Sequence, residues 1–173
     1  MAAACARRGA ASSPTSNGDA SRDGDARISY AAFEALLRRE MAWVFDTMAL
    51  SRGATWAAGR TELVATVVAS RAGRAGDTIS GPTLFAVADL SLYATVLSSI
   101  GEVPLALTID ASVHFLKRPR LERPIVADAR LLKSGKRLCV GSVDLLQDGA
   151  LVAHCVGTYS VPPAARREDV SRA

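Results

Sequence analysis

Residues 80–101 read Ser80-Gly81-Pro82-Thr83-Leu84-Phe85-Ala86-Val87-Ala88-Asp89-Leu90-Ser91-Leu92-Tyr93-Ala94-Thr95-Val96-Leu97-Ser98-Ser99-Ile100-Gly101. Ser80 or Gly81 suits an N-cap, Pro82 the first turn and Gly101 the position after the last, so the stretch predicts one helix of about 20 residues and about 30 Å. Its apolar residues lie nearly all round, which leaves two places for it, a bilayer or the inside of a domain. Asp89 at its middle argues against the bilayer, where a carboxylate costs about 2.5 to 3.5 kcal/mol, and Ser91, Thr95, Ser98 and Ser99 add to that cost. A helix buried inside a soluble domain is expected.

Material to bury it follows at once. From 105 to 115 the odd positions are Leu105, Leu107, Ile109, Ala111, Val113 and Phe115, with Thr108, Asp110, Ser112 and His114 between them. This period of two predicts a strand with one face in the core. Pro119 and Pro124 bracket a polar connection, after which 125–132, 137–146 and 151–161 read as three more strands. Ser134-Gly135 and Asp148-Gly149 supply hairpin turns, and connections that short force antiparallel neighbours, so the C-terminal half is expected as an antiparallel meander. Before the helix, 49–57 and 61–69 read as strands. Ser29 caps a short amphipathic helix carrying Ala32, Phe33, Leu36 and Leu37. The sum is an α+β layer, a curved antiparallel sheet wrapped around a long central helix. Such a sheet leaves strand edges uncovered, so a homodimer or a tetramer built as a dimer of dimers is expected.

With 173 residues, 49% hydrophobic and 22% charged, the chain suits a single domain, drawn at 28–162, with tails at 1–27 and 163–173 expected to be disordered. Net charge is +4, but the basic residues are interspersed with acids and aromatics make up only 5%, which argues against a nucleic-acid partner. Residues 1–16 lack both acids and the apolar run of a secretory signal. Their Ala, Arg and Ser fit either an organellar transit peptide or a disordered tail or over-long start. Cys5, Cys139 and Cys155 are widely spaced with no CxxC pair, which points to a reducing, cytoplasmic setting. Neither His114 nor His154 has a partner at metal-ligand spacing, and no glycine-rich phosphate loop follows a strand, so neither a metal nor a cofactor is expected.

The chain resembles the hot-dog thioesterases of the phenylacetate-degradation (PaaI-like) family over about residues 30–162. Ser80-Gly81-Pro82 stands where that family has His-Gly-Gly, and Asp89 falls nine positions after Ser80, at the family's acidic residue. Phe115-Leu116-Lys117-Arg118-Pro119 is similar to its Phe-Leu-Arg-Pro strand end, and 133–137 and 149–154 to its two hairpins. The resemblance implies a hot-dog fold and hydrolysis of an acyl or aryl thioester of coenzyme A, with acyl-CoA as the partner molecule. It also implies Asp89 as general base or nucleophile, the Gly81 amide as oxyanion donor, Ser80 and Pro82 at the substrate, and Thr108 as a hydroxyl reaching the Asp of the opposite subunit.

The residues' own chemistry runs alongside. A carboxylate on an apolar helix is costly unless hydrogen-bonded, and burial is one way a general base is made ready. Lacking a Cβ, a glycine at a helix N-terminus lets its amide approach a carbonyl. The ordinary alternatives are an Asp turned to solvent or capping an amide, a glycine needed only for its turn, and a threonine chosen for β propensity. Lys117, Arg118, Arg120, Lys136 and Arg137 lie at strand ends and are the candidates for the phosphates of coenzyme A. Two departures from the family stand out, Ser80 in place of its His and Arg74 in place of an Asn. A non-catalytic acyl-CoA-binding module on the same fold is the alternative reading. A dehydratase acting on hydroxyacyl thioesters would want a His at the helix start, and a purely structural oligomerisation domain leaves Asp89 unexplained.

Overall fold

A computed structural model describes residues 24–68, 73–74 and 76–163, so nearly all of both expected tails lies outside the described residues. Residues 24–27, assigned above to the tail, are tied to the domain. Arg27 N donates to Ser98 O at 2.7 Å, and Asp25 Oδ1 accepts from Ala58 N at 3.0 Å.

In chain order the elements are α1 (Tyr30–Glu40), α2 (Val44–Thr47), β1 (Met48–Ala57), β2 (Arg60–Val67), β3 (Gly73–Arg74), β4 (Thr78–Ile79), α3 (Gly81–Ile100), β5 (Leu107–Phe115), β6 (Ile125–Ser134), β7 (Leu138–Gln147) and β8 (Ala150–Ser160). Six strands form one antiparallel sheet in the order β1-β2-β6-β7-β8-β5, and β3 pairs with β4 in a small separate ribbon. Helix α3 lies in the curve of the large sheet, chiefly against β6 and β7.

The caps of α3 are those the sequence predicts. Ser80 Oγ accepts from Thr83 N at 3.4 Å, Pro82 sits in the first turn, and Gly101 closes the helix at φ 87°. By length and composition α3 could cross a bilayer, yet it is buried without a break from Leu90 to Ser98 within the domain. Its polar side chains are satisfied internally. Ser91 Oγ and Thr95 Oγ1 donate to the carbonyls one turn back, each at 2.7 Å, and Thr95 meets Thr61 of β2 hydroxyl to hydroxyl at 2.6 Å. Buried hydroxyls bonded in this way escape the penalty that an unpaired polar group would bring.

Close packing of helix on sheet depends on two glycines. Gly141 of β7 and Gly157 of β8 are cross-strand partners, and Leu92 of α3 sits over both. A Cβ at Gly141 would lie 2.7 Å from Leu92 Cδ2 and 3.0 Å from Arg130 O, and one at Gly157 would lie 2.9 Å from Leu92 Cδ1. Removing Leu92 from water in this seat stabilises the fold by about 2 kcal/mol.

The C-terminal half corrects one expectation. Strands β6, β7 and β8 form the meander, with Asp148 at φ 52° and Gly149 at φ 76° making the left-handed two-residue turn that the Asp-Gly pair predicts. β5, however, pairs with β8 rather than with its sequence neighbour β6. Its connection to β6 spans 116–124 and is long enough to cross the end of the sheet, while β2 already occupies the outer edge of β6. β5 is therefore an edge strand, and the apolar side predicted to be core is largely open: Leu107 is 59% and Ile109 58% exposed.

Gly141→Ala should lower stability by about 1–3 kcal/mol, because the new methyl meets both Leu92 and a backbone carbonyl. A urea midpoint that falls at unchanged slope would show this; an unmoved midpoint would mean that α3 is free to back away from the sheet.

Candidate active site

Asp89 lies midway along α3, partly exposed, where the helix passes the β8–β5 end of the sheet. Thr108 and Tyr159 are cross-strand partners on β5 and β8, and both reach it. Thr108 Oγ1 donates to Asp89 Oδ1 at 2.7 Å, and Tyr159 donates to the same oxygen at 2.7 Å, with Asp89 O also within 2.9 Å of the phenol. Oδ2 has no hydrogen-bond partner among the described residues. Thr108 thus bonds the aspartate of its own chain, where the resemblance implied that of the opposite subunit. The irregular register between Thr108 and Asp110 marks a local bulge at this point of β5.

Asp89, Thr108 and Tyr159 share the wall of a cavity of about 380 Å³ with Met41, Trp43, Phe85 and Tyr93. Apart from Asp89, the only charged residue on this wall is Glu40. The corner between α1 and α2 supplies one side of the cavity. Arg38 of α1 stacks over Phe45 of α2 with its guanidinium carbon 4.1 Å from the ring centre, which braces the corner that carries Trp43.

Gly81 is the first residue of α3, eight positions from Asp89 and so about 12 Å away along the helix. The Phe115 ring lies 3.3 Å from where its Cβ would be, so only glycine keeps this spacing unforced. Gly81 opens onto a groove of about 400 Å³ lined by Phe115, Leu116, Lys117 and Arg118. Lys117 and Arg118 also line an adjoining groove of about 430 Å³ together with Arg120 and Arg123. Lys136 and Arg137 are elsewhere. They lie in the β6–β7 turn, at the opposite end of the ten-residue strand β7, about 30 Å from that cluster. Within one chain the five candidate cations therefore form two groups, Lys117, Arg118 and Arg120 in one and Lys136 and Arg137 in the other.

The Ser80 side chain is occupied as the helix cap, bonding Thr83 Oγ1 at 2.8 Å as well as Thr83 N, and Pro82 is exposed beside it. The side chain of Arg74 lies outside the described residues. His154 Nδ1 is 2.6 Å from Asp144 Oδ1, and His114 stands opposite His154 in the register between β5 and β8, away from Asp89. Among the described residues no cluster of His, Cys, Asp and Glu is arranged to hold a metal. Tyr159 is the participant that the sequence reading missed. Its signal was present: it alternates with Cys155 and Gly157 on the inner face of β8, and an inward tyrosine needs a partner for its hydroxyl.

A six-stranded antiparallel sheet curved around one apolar helix, with a carboxylate held at its open end, is the hot-dog arrangement found in enzymes that act on thioesters. Residues 76–153 match the thioesterase superfamily. A crystal structure of a protein from Silicibacter sp. TM1040, assigned to the thioesterases, is 35% identical, with the likeness covering 80% of this chain and 95% of that one at a TM-score of 0.69. The chain belongs to the thioesterase superfamily, is PaaI-like in fold, and is a thioester hydrolase. The Escherichia coli PaaI protein of the phenylacetic acid degradation operon shares the fold at 17% identity, covering 75% of this chain and 90% of its own, with a TM-score of 0.65. A Streptococcus mutans protein bound to acetyl-CoA does so at 19% identity, covering 69% and 91%, with a TM-score of 0.59. No curated protein matches the sequence.

Titration around the site has a clear direction. Burial pushes the Tyr30 and Tyr93 hydroxyls up to about 12, and burial together with the charge of Asp89 pushes Tyr159 well above the usual tyrosine range. These are all three tyrosines of the chain. Raised folded-state values mean that their contribution to stability is complete below about pH 10 and is lost as pH rises past it. Little phenolate absorbance should therefore appear between pH 10 and 11 until denaturant is added, and the urea midpoint should fall through the same window. Full phenolate absorbance from the folded protein would contradict this.

Proposed function

We propose that the protein hydrolyses acyl or aryl thioesters of coenzyme A in the cytoplasm, at active sites each shared by two copies of the chain. The observation that carries this reading is the hold on Asp89, one oxygen tied by two hydroxyls and the other without a partner among the described residues, in the wall of an apolar cavity. Such a carboxylate is suited to serve as a base or as a nucleophile. As a base, Asp89 takes a proton from water while the water oxygen bonds to the thioester carbon. The oxyanion then collapses, the C–S bond breaks, and the departing thiolate takes up the proton to leave acid and thiol. As a nucleophile, Asp89 displaces the thiolate first, and water opens the resulting anhydride.

Either route needs a donor for the oxyanion. Gly81 of the same chain is about 12 Å from Asp89, too far for one carbonyl to touch both. A second copy removes the difficulty. β5 is an open edge, and antiparallel pairing with its counterpart about a two-fold axis sets the start of one strand against the end of the other. The partner's Gly81, Phe115, Lys117 and Arg118 then stand beside Asp89 and Thr108, at the end of the sheet that also holds Lys136 and Arg137. The two groups of cations thereby meet around one coenzyme A, and the exposed Leu107, Ile109, Phe115 and Leu116 gain cover. The acyl group occupies the cavity beside Trp43 and Phe85. The acetyl-CoA held by the Streptococcus mutans protein supports coenzyme A as the thiol, and the buried free thiols Cys139 and Cys155 support a reducing compartment.

Thiol release from a panel of acyl- and aryl-CoA esters should be lost in Asp89→Asn with the melting temperature little changed; near-normal turnover in that variant would sink the assignment. Shared sites make a sharper demand. Gly81→Pro removes the amide proton at the first helical position, where the backbone accepts proline although its Cβ presses on the Phe115 ring, and should also be inactive while remaining dimeric. Subunit exchange between the two dead variants should restore about a quarter of wild-type activity, since half the dimers are mixed and each has one complete site of two. No recovery on mixing would rule out a site built across the dimer.

A further inference from the structure

We infer that Tyr159 is a positioning residue for Asp89, holding one carboxylate oxygen so that Oδ2 is the oxygen that reacts. The inference rests on the thioesterase reading for its kinetic consequence, but its geometry stands by itself. Tyr159 is 2% exposed, on the inner face of β8, with its ring stacked on Tyr93 at 6.1 Å between centres. Its hydroxyl reaches the middle of α3 and lies within hydrogen-bond distance of both the backbone and the side-chain oxygen of Asp89. A phenol in that position ties the turn of helix to the carboxylate it carries.

Burial and the adjacent negative charge both disfavour phenolate, so Tyr159 keeps its proton and remains a donor at every pH at which the fold survives. A phenol held so firmly to its proton is poorly matched to protonating the departing thiolate. Cys155, the neighbouring thiol on β8, is pushed up to about 11 by burial and by Asp89, so it stays a protonated, inert thiol. Glu40 is the other ionisable group on the cavity wall, beyond the tyrosines. The two hydroxyls on Oδ1 come from different strands, Thr108 from the open edge and Tyr159 from the interior. Thr108 is exposed on the edge strand, whereas Tyr159 is buried and held by packing, which makes the tyrosine the steadier of the two anchors.

Tyr159→Phe keeps the ring and its stacking and deletes only the hydroxyl. Losing a hydrogen bond to a charged group should lower kcat about tenfold and leave KM within about twofold, with the acid limb of the kcat/KM profile moved to higher pH. Thr108→Val should act in the same direction, and the double variant should fall below either single one. A residue of merely structural weight would lower the melting temperature and leave the kcat and the shape of the pH profile alone, and that result overturns the inference while Asp89→Asn still tests the hydrolase reading. The second readout needs no substrate. In proton NMR of the full chain, the Tyr159 hydroxyl should give a slowly exchanging downfield resonance, absent in Tyr159→Phe and moved upfield in Asp89→Asn. If no such resonance appears in the wild type, the pairing itself is wrong.

Discussion

The structure depends on one constraint, the need to remove the apolar length of α3 from water. A helix apolar nearly all round cannot rest on a flat surface, so the sheet has to curve about it, and it has to approach closely enough to leave no voids. Gly141 and Gly157 make that approach, side by side on β7 and β8 with Leu92 seated over them. The buried hydroxyls of Ser91, Thr95 and Ser98 follow from the same constraint. Each finds an acceptor on the helix itself, so the sheet can close over polar residues with little loss.

Asp89 sits where that cover runs out. Deeper in the helix a carboxylate would face Leu and Val from the sheet, and farther toward either end it would be in open water. At this position it meets the last two strands of the sheet, and both present a hydroxyl. The expected picture of a carboxylate made ready by burial gives way to one of a partly exposed carboxylate held by two donors. The apolar cavity beside it is a product of the same boundary. The sheet no longer covers α3 there, and the corner from α1 to α2, with Met41 and Trp43, covers it less tightly.

The edge strand β5 links this local chemistry to the proposed assembly. Its outer backbone is unpaired among the described residues, and its inward row is more exposed than an alternating strand normally leaves it. The same strand carries Thr108 near one end and Phe115, against Gly81, at the other. The proposed antiparallel pairing of two such strands would answer the open edge, the exposed leucines and isoleucine, and the distance between Gly81 and Asp89 together. A single copy answers none of them.

By itself the sequence determined the elements and their local punctuation. Ser29 and Ser80 cap the helices it assigned to them, Asp148 and Gly149 turn the hairpin they predict, and Asp89 stands out as a lone charge on an apolar helix. These are short-range effects, set by caps, turns and periodicity within a few residues. What only the tertiary structure decided was which elements meet. It paired β5 with β8 rather than β6, placed Thr108 against the Asp of its own chain, separated Lys136 and Arg137 from Lys117 and Arg118, and brought Tyr159 to Asp89 from 70 residues away. Strand order and long-range hydroxyl contacts depend on how the whole sheet closes around α3, and periodicity records which face of a strand turns inward but not what it will find there.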